Sequence, residues 1–305
     1  MRSRLISSLE WHTLPLVQPL QLIRRPEDVA LAVLEREGLT HALLKRAGVP
    51  PWSRVPLVVV SCWLADELRT ASPIRRALLR QLAQSVDLFV FWSRNQLAIF
   101  RDQLGVDEDR LFFVPFGIET DFYVPSEAPR ESFVLSVGRD RGRDYPTLLA
   151  AAGQLDIPVK IVCPMDAVQG LAVAANVELI GEVDHFQLRR LLGEASVVAL
   201  ASDPDVAYPT GQTVLLDAMA VGTPTVLTGS AAMRDYVRHG ENAWVVPPRD
   251  PDALRDGILA VLSDDALARR ISANALQDVR ERFNVAEMWR AVAERLRVLV
   301  ALDRA

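Results

Sequence analysis

Residues 196–228 read SVVALASDPDVAYPTGQTVLLDAMAVGTPTVLT. The first five, SVVAL, form a short apolar, β-branched run of the kind that suits a strand buried on both faces. A loop rich in Asp, Pro and Gly follows, and Gly211 ends it. Residues 212–221 carry good helix formers, and PTVLT at 224–228 is a second buried strand. A strand, a helix and a strand within so few residues predict a crossover joining parallel neighbours.

The same alternation extends on both sides. Strand-like runs occur at 133–137 (FVLSV), 159–163 (VKIVC), 177–180 (VELI) and 243–246 (AWVV), with helices predicted at 146–153, 186–194 and 230–238. This is the pattern of a doubly wound α/β domain around a parallel sheet. Beyond it, Asp250 followed by Pro251 is a helix start, and Leu254, Ile258 and Val261 line one face. Two more helices are expected over about 265–281 and 286–302. The N-terminal half is less regular: helices at 38–47, 73–83 and 94–104 alternate with strands at 57–62, 86–91 and 111–115. The loop-like PSEAPRES at 125–132 places a domain boundary there, giving an N-terminal α/β domain over 1–130 and a C-terminal one over 131–305.

Composition narrows the function. With 34 basic and 39 acidic residues the net charge is −5, unlike a protein that grips long nucleic acid. Glu10 and His12 interrupt the opening segment, so it does not read as a secretion signal. No apolar run approaches the ~20 residues of a membrane span, and the expected location is cytoplasmic, with peripheral contact at the inner membrane face left open. Cys62 and Cys163 each end an apolar run and read as buried thiols. There is no CxxC, HExxH, GxSxG, GxxxxGK[ST] or GxGxxG.

In an open parallel sheet, ligands bind beyond the carboxyl ends of the strands, and four such places stand out. Gly138 to Asp144 (GRDRGRD) follows the strand FVLSV, with arginines that could meet a phosphate or simply face solvent. Residues 208–213 (YPTGQT) precede the helix VLLDAMA. Gly211 and the first N–H groups there form an anion cradle, or else Thr210 or Thr213 makes an ordinary cap. Asp217 lies one turn inside that otherwise apolar helix, and needs a partner if it is buried. A ribose diol would serve. Gly229 to Ala232, after the strand PTVLT, is the fourth. His12, His41, His185 and His239 lack neighbours at ligand or triad spacing. Asp203 and Asp205 form a DxD, but within a loop containing proline.

At these residues the chain resembles the retaining glycosyltransferases of the B-type fold, called group 1 or family 4. The likeness runs through VPFGIETDFYVP, SVGRDRGRDYPTLLAA, ELIGEVDHFQLRRLLGEASVVALAS, YPTGQTVLLDAMAVGTPTVLT and HGENAWVVPPRDPDALRDGILAVLSDD, over about residues 55–290. The resemblance implies two Rossmann-like domains facing a cleft, the N-terminal one reduced. A nucleotide-diphosphate sugar would be held by the C-terminal domain, and a carbohydrate, lipid-linked or small-molecule hydroxyl acceptor by the other. Arg139 and Arg143 match the family's arginine and lysine and would stabilise the leaving diphosphate. Gly138, Gly211, Gln212 and Thr213 would cradle it. Asp217 matches the glutamate that grips the ribose, one methylene shorter. No cofactor or metal is implied.

There are three departures. Pro209 stands where the family commonly has a second glutamate, eight residues before Asp217. Ser61, Cys62 and Trp63 follow the strand that usually leads to a histidine. Only about 55 residues precede that strand, so either the start lies inside a longer gene or the acceptor domain is reduced. Transfer of a sugar, with retention, is the expected activity. A noncatalytic or truncated glycosyltransferase-like binding protein and a sugar-nucleotide epimerase are the alternatives.

Overall fold

The computed structural model describes residues 29–125 and 129–303. The opening segment, with His12, and the middle of the expected boundary loop lie outside these residues. The chain folds as two compact units. One runs up to Val114 and resumes at Trp289, and the other runs from Pro115 to Met288.

The first unit holds a parallel four-stranded sheet in the order β1 (Ala30–Val33), β2 (Leu57–Ser61), β3 (Leu88–Phe91) and β4 (Leu111–Phe113). β1 lies in a stretch whose sequence gave no clear reading. Its helices are α1 (Glu35–Arg46), α2 (Leu64–Thr70), α3 (Pro73–Ala83) and α4 (Asn95–Ile99), the last continuing through a π turn to Leu104. Glu35 fastens this unit internally: one carboxylate oxygen accepts from Ser61 Oγ (2.9 Å), Cys62 N (2.6 Å) and Leu64 N (2.7 Å).

The second unit is built on β5 (Val134–Val137), α5 (Tyr145–Ala152), β6 (Val159–Val162), β7 (Val177–Ile180), α6 (His185–Glu194), β8 (Val197–Leu200), α7 (Gln212–Ala220), β9 (Thr225–Thr228), β10 (Trp244–Val246), α8 (Pro251–Ser263) and α9 (Asp265–Arg282). α10 (Val285–Asp303) follows, and within it the chain passes back to the first unit. There Arg295 donates to the carbonyl of Asp109. All six strands are parallel, in the order β10-β9-β8-β5-β6-β7. The winding direction reverses between β5 and β8, which makes that gap the topological switch point.

Alternation along the strands divides the core. Leu135, Val137, Val198 and Leu200 pack on one face with Leu215, Leu216 and Met219 of α7 and Val279 of α9. Val134, Val197, Ala199 and Val226 pack on the other with Leu148 of α5 and Leu254, Ile258 and Val261 of α8. Aspartates start most of these helices: Asp144 accepts from Thr147 N, Asp184 forms a capping box with Gln187, Asp250 accepts from Ala253 N, and Asp264 from Ala266 N and Leu267 N.

Three expectations change. The chain from Trp289 onward, expected in the C-terminal domain, belongs to the first unit. Pro115–Pro125, read as the close of the first domain, belongs to the second unit. Ile118 N donates to Phe283 O (2.9 Å) and Val285 N to Ile118 O (2.9 Å). The helix expected over 230–238 is a single 3-10 turn, Ala231–Met233. Asn242 takes an N–H that the helix would use: its side-chain oxygen accepts from Arg238 N (2.6 Å), and its amide donates to Tyr236 O (3.0 Å). Buried side-chain hydrogen bonds of this kind outweigh helix propensity.

Candidate functional site

Neighbouring strands β5 and β8 set the loops after them side by side. Arg143 forms an isolated antiparallel bridge with Ser202, Asp144 N donates to Ala201 O (3.1 Å), and Asp203 N donates to Gly142 O (2.8 Å). The next strand joins through Thr228, whose hydroxyl accepts from Ser202 N (2.8 Å). Three strand-end loops are thereby one surface.

Arg143 is inside it. Its side chain is 4% exposed, Nη2 donates to Val137 O, and Nε is buried without a hydrogen bond, the Asp140 carboxylate lying 3.8 Å away. Gly138 and Gly211 wall the slot: a Cβ on either would lie 2.5 Å from the guanidinium, and Gly211 also takes φ 78. Burial lowers the Arg143 pKa, and nearby Asp140 partly opposes the shift. Arg139 stands outside, its side chain 72% exposed and paired to Glu182 at 2.6 Å. The structure therefore separates two arginines that the sequence presents as equivalent.

Gly211 is also the N-cap of α7, and no side chain caps this helix. Thr210, one of the two residues proposed as an ordinary cap, instead donates to Asp140 (2.6 Å). Gln212 is buried and Thr213 is exposed at the first turn. Inside the helix Asp217 is 2% exposed, and its Oδ1 has no partner. Burial pushes its pKa up to about 7, opposed by a hydrogen bond from the Tyr123 hydroxyl. Burial, with Asp217 nearby, also raises the pKa of Tyr123 itself. At the end of β9, Ser230 Oγ is the third buried polar atom without a hydrogen bond among the described residues of this unit. Each such atom costs about 1–3 kcal/mol when unpaired.

Other candidates fall to structural roles. Asp203 and Asp205 both accept from Arg249. Burial lowers the pKa of His41, opposed by its hydrogen bond to Glu37 O. His239 accepts from Val245 N at 3.1 Å. Cys62 and Cys163 are not bridged. Asp140, Tyr123 and Tyr208 carry contacts at the site that the sequence does not single out. Only the charge at a strand end pointed to Asp140, and nothing in the sequence linked it to residues 208–210.

Comparison with known proteins identifies the family and the fold. An exopolysaccharide phosphotransferase of Streptomyces coelicolor is 36% identical over 203 residues, covering 61% of this chain and 21% of that protein. The chain thus spans about a fifth of the length of that curated relative. Among solved structures, sucrose-phosphate synthase of Thermosynechococcus elongatus superposes with a TM-score of 0.80 at 21% identity, covering 95% of this chain and 78% of that one. HepE of Anabaena, solved in complex with UDP and glucose, gives 0.75 at 19% identity, over 93% and 82%. The shared architecture is the B-type fold of two Rossmann-like units. Residues 119–278 match the glycosyl transferases group 1 family, and with more than half of its length in that match the chain belongs to this family.

Proposed function

We propose that this protein transfers a sugar from a nucleotide-diphosphate sugar to a hydroxyl acceptor, with retention, and that its second unit holds the donor. The observation that carries this is the set of buried polar atoms without a hydrogen bond, Arg143 Nε, Asp217 Oδ1 and Ser230 Oγ, at the carboxyl edge of a doubly wound sheet. Unpaired polar atoms held this deep are expected to meet polar groups of a ligand. Asp217 accepts from the ribose hydroxyls, and Gly138, Gly211, Gln212 and Thr213 cradle the diphosphate at the bare start of α7. Arg139 leaves Glu182 to meet the phosphates, while Arg143 supplies positive charge from beneath.

In the transfer step the bond from the anomeric carbon to the β-phosphate oxygen breaks, and the nucleoside diphosphate leaves with that electron pair. The acceptor oxygen bonds to the anomeric carbon on the same face. Its proton passes to the departing phosphate oxygen. Arg139 and Arg143 act by stabilising the charge that grows on the phosphate.

The first unit takes the acceptor, which is a carbohydrate, a lipid-linked sugar or a small molecule. On α3, Ile74 (84% exposed) and Leu78 (52%) stand one turn apart, an exposed apolar pair suited to peripheral contact with a membrane surface. No helix among the described residues is long and apolar enough to cross a membrane.

Calorimetric titration with UDP-, GDP- and ADP-sugars tests the donor site, with UDP-glucose first because HepE was solved with UDP and glucose. Saturable binding of one donor, abolished in Asp217→Ala, is expected. A well-folded protein that binds none of them would sink the assignment. The strand β2 ends at Ser61, and Cys62 and Trp63 follow it without a histidine, which favours as second reading a protein that binds donor without transferring it. Donor binding with no turnover on any acceptor would point to that reading.

A further inference from the structure

One side chain ties the two loops of the switch point together. Asp140 Oδ1 accepts from Gly142 N (2.8 Å), from Tyr208 Oη (3.0 Å) and from Thr210 Oγ1 (2.6 Å). Its other oxygen lies 3.8 Å from Arg143 Nε. Tyr208 and Thr210 are neighbours across Pro209, directly before the Gly211 turn, so the carboxylate grips that turn from both sides. The fit is tight at Gly142 as well, where a Cβ would lie 2.8 Å from Tyr208 Oη and 3.0 Å from Asp140 Oδ1. Asp140 thus touches the residues that set where Arg143 and the start of α7 stand relative to each other.

We infer that Asp140 is a positioning residue for the donor's diphosphate: it fixes the Arg143 guanidinium and the Gly211 turn as one preorganised anion site. This rests on the donor-site reading given above. A carboxylate suits the task because one oxygen can accept from several donors at once, while its charge balances the buried guanidinium until a phosphate arrives. Without it, Tyr208 and Thr210 lose their shared acceptor and the turn drifts from Arg143. Misplacement of about 1 Å at such a site is enough for large losses.

The test is titration of the full chain with UDP, GDP and ADP and with the corresponding monophosphates. In Asp140→Ala the preference for diphosphate over monophosphate should fall about tenfold, with monophosphate affinity little changed. Asp140→Asn, whose amide oxygen can still accept from all three donors, should keep most of that preference. The double variant Tyr208→Phe/Thr210→Val removes two of the donors but leaves the carboxylate, and should reproduce the alanine phenotype. It also decides the matter if Asp140→Ala does not fold. A general structural role would lower both affinities together, and that result, or an unchanged preference in either disrupted variant, overturns the inference while leaving the donor site standing. Wild-type protein that binds no nucleotide overturns both.

Discussion

Asp217 is a buried carboxylate that opposes stability once it is charged. Its pKa of about 7 in the folded state lies above the ordinary 3.8, because burial disfavours the charge. The folded protein therefore holds this proton more tightly than the unfolded chain does. The stabilisation is complete below about pH 4, declines as pH rises, and is gone above about pH 7. Asp217→Asn has no such slope, and the Tyr123 hydroxyl can still donate to its amide oxygen. Urea denaturation of the unliganded proteins should find the variant equal to wild type only below about pH 4, with the gap opening as pH rises. Near pH 8 it should be more stable by about 1–3 kcal/mol, a functional group's cost recovered. A variant less stable than wild type at pH 8 would show that the charged carboxylate is already satisfied without ligand. Asp217 was legible in the sequence as a lone acid in an apolar helix. That Tyr123 bonds to it was not, because the two residues are far apart in the chain and meet only through packing.

At the scale of elements, α7 differs from its neighbours because a glycine starts it. Asp144, Asp184, Asp250 and Asp264 cap other helices of the unit with side-chain oxygens, leaving little for an anion to add. Gly211 brings no oxygen, and its φ of 78 with Arg143 Nη1 only 2.5 Å from a would-be Cβ leaves no room for a side chain. Gly211→Ala should cost about 1–3 kcal/mol in thermal denaturation through backbone strain and displacement of Arg143. Nucleotide affinity should fall with it. Unchanged stability would mean that the turn has another low-energy form. Most elements were visible in the sequence because apolar runs and capping aspartates are local signals. The expected helix at 230–238 failed for a nonlocal reason, since Asn242, beyond its end, takes an N–H that it would use. β1 was missed because it is short and lies at a sheet edge, with Leu31 and Val33 exposed, so it lacks the continuous apolar run of a buried strand.

For the whole molecule, the two core clusters on either face of the six-stranded sheet draw only on residues of the second unit, from Ile118 to Phe283. A protein comprising residues 115–288 should accordingly fold alone, with a cooperative thermal transition and a nucleotide affinity within about threefold of the full chain. Loss of cooperativity in that fragment would show that its core depends on the remaining chain. The sequence by itself determined the doubly wound class, the strand-end loops and the glycine, arginines and acid on them, because hydrophobic period and turn chemistry act between near neighbours. Only the tertiary structure decided that Arg143 is buried while Arg139 is exposed, that Asp140 holds the loops of β5 and β8 together, and that Pro115–Pro125 belongs to the second unit. Those outcomes depend on which strands lie side by side. Strand order is fixed by packing the whole sheet between its helices, and no local stretch of sequence encodes it.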